Sequence, residues 1–171
     1  MKVQLLAFAK LYREKFEVEN LAPQDDMFIL VKSGSFKFLQ NGTQYTVEKN
    51  QGAFLRKGEL CKRSIIAPAV MYLFRYVSDL PLFKSVEVHF SDTERLASNM
   101  EMLDKSEGLA ERSSIYEHIL SDLSLQCAMD ARHAYQKSGV LFDRLIDRVI
   151  SRMKEEIDRK IIEAYYDFIG T

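Results

Sequence analysis

Cysteine is scarce in this 171-residue chain, and Cys61 and Cys127 lie far apart, which argues against both a disulfide framework and the close pairs of a zinc site. A reducing compartment, the cytoplasm, is the expected location. Histidine occurs three times. A metal-dependent barrel enzyme draws two histidines, a carboxylate and a third histidine from inward positions. Only His89 falls in the first half, and His118 and His133 are too widely spaced to share a site, so no catalytic residue, metal ligand or cofactor is expected. An excess of one charge is also lacking: Lys and Arg total 24 against 25 Asp and Glu, and the last thirty or so residues are balanced, which leaves no basic arm for phosphates. Long hydrophobic runs are missing too. The longest, Ile65 to Phe74, contains Pro68 and is about half of the roughly 20 residues a membrane span needs. The apolar stretch Val3 to Ala9, broken by Gln4, is too short for a signal peptide. No Gly-rich phosphate loop, nucleophile elbow or zinc motif occurs.

What the chain has is one change of pattern, near Phe90. Before it, short alternating apolar segments are punctuated by Asn41-Gly42, Gly52, Gly58 and Pro68; after it, apolar residues recur every three to four positions without a proline. The layout predicts an α+β protein, with a β-barrel or jelly roll over residues 1–90 and helices over 91–171. A barrel is a container, so a small-molecule sensor is expected rather than an enzyme.

In the first half, Met27 to Lys32 and Ser35 to Leu39 flank Ser33-Gly34, and Ser35 to Gln40 faces Thr43 to Glu48 across Asn41-Gly42, a strong hairpin signal. Further strands are expected at Ala53 to Arg56, Cys61 to Ile66, Val70 to Val77 and Ser85 to Phe90. Alternation gives the hairpin one aromatic face. Phe36, Phe38, Tyr45, Tyr72 and Phe74 are therefore expected on the barrel's inner wall, with Tyr76 and Arg56 as polar contacts to a ligand. Arg56, Lys62, Arg63 and Arg75 are the cations that offer such a pocket an anionic anchor, and the sequence does not distinguish which points inward.

In the second half, Ser91-Asp92-Thr93-Glu94 is a capping box that opens a helix to about Asp104, and Ser114-Ile115-Tyr116-Glu117 opens another to about Tyr135. A last helix carries Phe142, Leu145, Ile146, Val149 and Ile150 on one stripe. The middle helix carries Tyr116, Ile119, Leu120 and Leu123. Two helices with apolar stripes leave one stripe for a partner, so a homodimer centred on those four residues is expected.

The run from Phe28 to Phe38, then Asn41-Gly42-Thr43-Gln44-Tyr45-Thr46-Val47, then Gly52-Ala53-Phe54-Leu55 resembles the N-terminal cupin-type sensor domain of AraC-family transcription regulators. Val88 to Arg95 and Phe142 to Ile150 are similar to the helix starts that follow the barrel in that family. The resemblance covers most of the chain. It implies a cupin-like roll that binds a small-molecule effector, a C-terminal antiparallel-helix segment that dimerises it, and contact with DNA only through a helix-turn-helix domain beyond Thr171. Two alternatives are a stand-alone metal-free cupin enzyme and a cyclic-nucleotide sensor, the latter echoed by Gly58-Glu59-Leu60 with Arg63 on the phosphate.

Overall fold

In the structure, a computed structural model that describes residues 3–79, 82–83, 86–133 and 151, Asn41 and Gly42 take φ values of 51° and 78°. Both central positions of a two-residue hairpin turn need positive φ, and the predicted hairpin is present. Seven strands build one antiparallel sheet: β1 (Val3–Arg13), β2 (Asn20–Leu21), β3 (Asp26–Gln40), β4 (Thr43–Glu48), β5 (Gln51–Leu55), β6 (Cys61–Ser78) and β7 (Glu87–His89). Helices α1 (Thr93–Lys105) and α2 (112–133) follow. The main path runs β1-β6-β3-β5-β7, with β2 added to β6 and β4 to β3. This is the α+β, cupin-like layout expected from the sequence.

Two expected turns are not turns. Ser33-Gly34 and Pro68 lie inside the long strands β3 and β6, at the point where they bend past each other. Gly34 has φ of 79°, and a Cβ there would overlap the carbonyl oxygen of Pro68. The pairing of β3 with β6 shifts register between Val31 and Phe36. Met27, Ile29 and Val31 point into the roll before the bend and Phe36 and Phe38 after it, so the buried set passes from odd to even positions. β6 has no such change of parity, with Cys61, Ile65, Ala69, Met71 and Leu73 all turned inward.

The other side of the sheet is buried as well. Phe28, Leu30, Tyr72, Phe74 and Tyr76 form a second core with Leu96, Met100 and Leu103 of α1 and Tyr116, Ile119, Leu120 and Leu123 of α2. Asp92 caps α1 by accepting from the Arg95 backbone N–H at 3.0 Å, within the predicted capping box. Asp122 ties the helices together, accepting from Arg95 Nε at 3.0 Å and Asn99 Nδ2 at 2.7 Å. Asp104, at the C-terminal end of α1, accepts from Lys10 Nζ at 2.6 Å, from Lys32 and from the Tyr72 hydroxyl at 2.9 Å. One carboxylate thus joins α1 to three strands.

The stripe expected at a dimer contact is covered within one chain. Ile119, Leu120 and Leu123 are fully buried, and Tyr116 is 6% exposed. The sheet's outer face supplies the covering surface that the sequence had left to a second subunit. For the same reason a single compact unit runs through Asp130, past the expected boundary at residue 90. A second unit, Ala131–Thr171, falls almost wholly outside the described residues, as does the last predicted helix from Phe142 onward.

Candidate functional site

The interior of the roll is partly filled and partly open. Phe36, Phe38 and Val47 close the hairpin end, with Tyr45 stacked on Phe38 at 5.1 Å between ring centroids. Next to them lies a cavity of about 290 Å³. Met27, Ile29, Met71 and Leu73 form its apolar floor, and the segment joining β1 to β2 brings Phe16 over it beside Arg63 of β6.

Arg63 is held from several directions. Its backbone N–H donates to Glu19 O at 2.8 Å, and Nη2 donates to Val18 O at 2.9 Å. The pairing of β2 with β6 at Asn20–Lys62 and Leu21–Cys61 pins that segment in place. The guanidinium carbon lies 4.3 Å from the centroid of Phe16, whose ring packs edge-on against Phe36 at 5.8 Å. Nε is buried without a hydrogen-bond partner. Among the described residues no carboxylate lies within ion-pair distance of Arg63. Burial pulls its pKa down, against the attraction of the neighbouring Cys61, whose own thiol is pushed up by burial. The result is a partly buried cation on an aromatic face, with one N–H that meets no protein acceptor.

The structure divides the residues expected on one wall. Phe36, Phe38 and Tyr45 belong to the interior of the roll, whereas Tyr72, Phe74 and Tyr76 lie on the opposite face beneath the helices. The change of parity at Gly34 separates them, because even positions of β3 after the bend and even positions of β6 face opposite ways. Arg56 is exposed, 5.9 Å from the Phe54 centroid, and lines neither cavity described here. Arg75 pairs with Asp25, and Lys62 is exposed. Of the four cations weighed, Arg63 is the one that reaches the opening. Phe16 went unnoticed in the sequence, although a lone aromatic in the charged run from Arg13 to Glu19 is a signal of its own: such a side chain has few reasons to sit in a polar segment unless it covers something.

A second cavity, of about 380 Å³, lies between β1 and the α1–α2 corner, bordered by Leu5 to Lys10, Glu107, Arg112 and Tyr116. It runs along the backbone of an edge strand, and among the described residues its polar groups include no buried unpartnered atom. The roll opening combines an apolar floor with a buried, unpartnered donor and is the better ligand site. Among the described residues no three His, Cys, Asp or Glu side chains converge as metal ligands would. Among them also, no helix is long and apolar enough to cross a membrane.

No protein-family model and no curated protein matches the chain. Among solved structures it is similar to an apo variant of ToxT from Vibrio cholerae, at 13% identity over 71% of this chain and 52% of that one, with a TM-score of 0.42. It is also similar to a DUF861 family protein from Thermotoga maritima, at 15% identity over 42% and 75% of the two chains, with a TM-score of 0.32. A third is a mutant of Bacillus subtilis oxalate decarboxylase, at 12% identity over 56% and 28%, with a TM-score of 0.29. The chain spans about half the length of ToxT. A decarboxylase is an enzyme, so its presence in this set overturns the sequence-based expectation that the chain is none; the activity of this chain does not follow from any of the three.

Proposed function

We propose that the chain is a small-molecule-binding domain whose ligand enters the opening of the roll beside Arg63. The observation that carries this reading is the opening itself: an apolar floor of Met27, Ile29, Met71 and Leu73 beside a buried, unpartnered N–H on Arg63. Its volume, about 290 Å³, sits at the small end of ligand pockets, which span roughly 300–1,000 Å³. Apolar walls with one or two placed polar groups are the usual composition of such sites.

In its finer form, the domain senses the effector of an AraC-type transcription regulator. The order of the sequence motifs, from the Phe28–Phe38 run through Asn41-Gly42 to Gly52, supports that form. Binding would shift the balance between arrangements of roll and helices, and an attached DNA-binding domain would report the shift. Asp104 offers a physical link, since it fastens α1 to β1, β3 and β6 together.

Thermal-shift screening of the chain against compact apolar and aromatic compounds, beside Leu73→Trp, tests the binding role. Leu73 is half-buried on the floor of the opening, and an indole there fills it. Compounds that raise the melting temperature of the wild type and leave Leu73→Trp unmoved support the reading. Compounds that raise both equally place the site elsewhere. The regulator role is tested by effector-dependent DNA binding of the full-length gene product.

A further inference from the structure

Resting on the reading of the opening as a ligand site, we propose that its ligand is a small organic monoanion: a carboxylate on a compact apolar body, with the carboxylate at Arg63 and the body over Met27, Ile29, Met71 and Leu73.

Arg63 supplies the first reason. A guanidinium carries five N–H donors in a fixed plane. In Arg63 the Val18 carbonyl takes a donor on Nη2, while Nε is buried with no acceptor. A buried donor left unmade is costly, and the side chain that carries this one is among those that line the opening. Phe16 lies against the guanidinium and restricts approach from that side. A carboxylate is flat and accepts two parallel bonds in the guanidinium plane, which suits that restriction.

Charge supplies the second. Two cations, Arg13 and Arg63, and one carboxylate, Glu17, line the opening. The guanidinium of Arg13 is itself held by its neighbour's backbone, Nη1 donating to Tyr12 O at 3.0 Å. The surplus of one positive charge matches a single negative one. A phosphate monoester, with nearly two charges, would face Glu17 unbalanced. The floor supplies the third reason: its four side chains offer no hydrogen bond, two are adaptable methionines, and a ligand polar at both ends would leave one end unmatched.

Titration calorimetry on the whole chain tests this with matched probes: phenylacetate, its neutral isostere phenylacetamide, and inorganic phosphate, each against wild type and Arg63→Met. Phenylacetate is expected to bind at least about tenfold more tightly than the amide in the wild type, the preference expected of a charge-assisted hydrogen bond. That preference should vanish in Arg63→Met, and phosphate should not displace phenylacetate. Equal binding of acid and amide, or displacement by phosphate, overturns the proposed ligand class while leaving the opening as a site. If no probe and no neutral screening compound binds, the opening is not a ligand site and both readings fall. Should Arg63→Met fail to fold, the acid–amide comparison in wild type and Arg63→Lys decides: the lysine keeps the charge, loses the fork and is expected to retain only part of the preference.

Discussion

Arg63 stacks on Phe16 at 4.3 Å from its ring centroid, and this contact joins the segment after β1 to the start of β6. Phe16 in turn packs on Phe36 inside the roll. A cation over an aromatic face is worth about 0.5–1 kcal/mol where it is partly exposed. Phe16→Leu keeps an apolar side chain and removes the ring, so a urea denaturation midpoint should report a loss of about that size. A larger loss would mean that the edge-on contact with Phe36 matters more than the stacking on Arg63.

Leu123 lies in the core between α2 and the sheet, fully buried. Leu123→Ala is expected to cost about 2–5 kcal/mol, the range for deleting a buried leucine side chain. Leu123→Glu should unfold the chain, because a carboxylate there has no partner. Circular dichroism together with sedimentation separates this from interface loss: a folded monomer produced by Leu123→Glu from a wild-type dimer would return the residue to a subunit contact.

Asp104 sets a pH dependence. Burial pushes its carboxyl pKa up, but hydrogen bonds from Lys10, Lys32 and Tyr72 outweigh that and hold it at about 2, below the ordinary value of 3.8. A folded-state pKa below the unfolded one stabilises the fold above the unfolded pKa, and the benefit is lost as pH falls through the folded one. The contribution is therefore complete above about pH 4 and disappears toward pH 2. Asp104→Asn should cost about 1–2 kcal/mol near neutrality, a modest figure because both lysines are partly exposed. Stability curves of wild type and variant should converge near pH 2. A constant gap at every pH would assign the effect to packing rather than charge.

The hairpin and the first helix were legible because each has a local signal that tertiary structure seldom overrides: paired positive φ at Asn41-Gly42, and a side-chain cap at Asp92. The face assignment was not legible. In β6, Met71 and Leu73 point into the roll and Tyr72, Phe74 and Tyr76 point to the helices, and both sets are apolar. Alternation marks the buried side of a strand only when the other side is wet. Register was hidden for a second reason, since Ser33-Gly34 reads as a turn and proves to be a bend inside β3. The pocket was half legible. Arg63 stood among four candidate cations, and it shares the inward parity of Cys61 and Ile65 on β6 opposite Phe38, which the pairing of the strands reveals.

That bend gives a further prediction. Gly34 combines φ of 79° with close contact to the backbone of Pro68 and Ala69. Gly34→Ala must either strain its own backbone or push the two long strands apart, at a cost of about 2 kcal/mol or more. Chemical denaturation measures it. Gly42→Ala shares the positive φ but has open space around it, so its loss should be smaller, about 1 kcal/mol. Equal losses at the two positions would show that the approach to Pro68 carries no weight.

The central claim is that the opening beside Arg63, rather than the cavity between β1 and the α1–α2 corner, receives the ligand. Backbone amide shift mapping by nitrogen-15 NMR during a phenylacetate titration tests it most directly. The account predicts perturbations gathered at Phe16, Glu17, Ile29, Arg63 and Met71, around the opening. Perturbations gathered instead at Ala7, Lys10, Arg112 and Tyr116, around the second cavity, would contradict it.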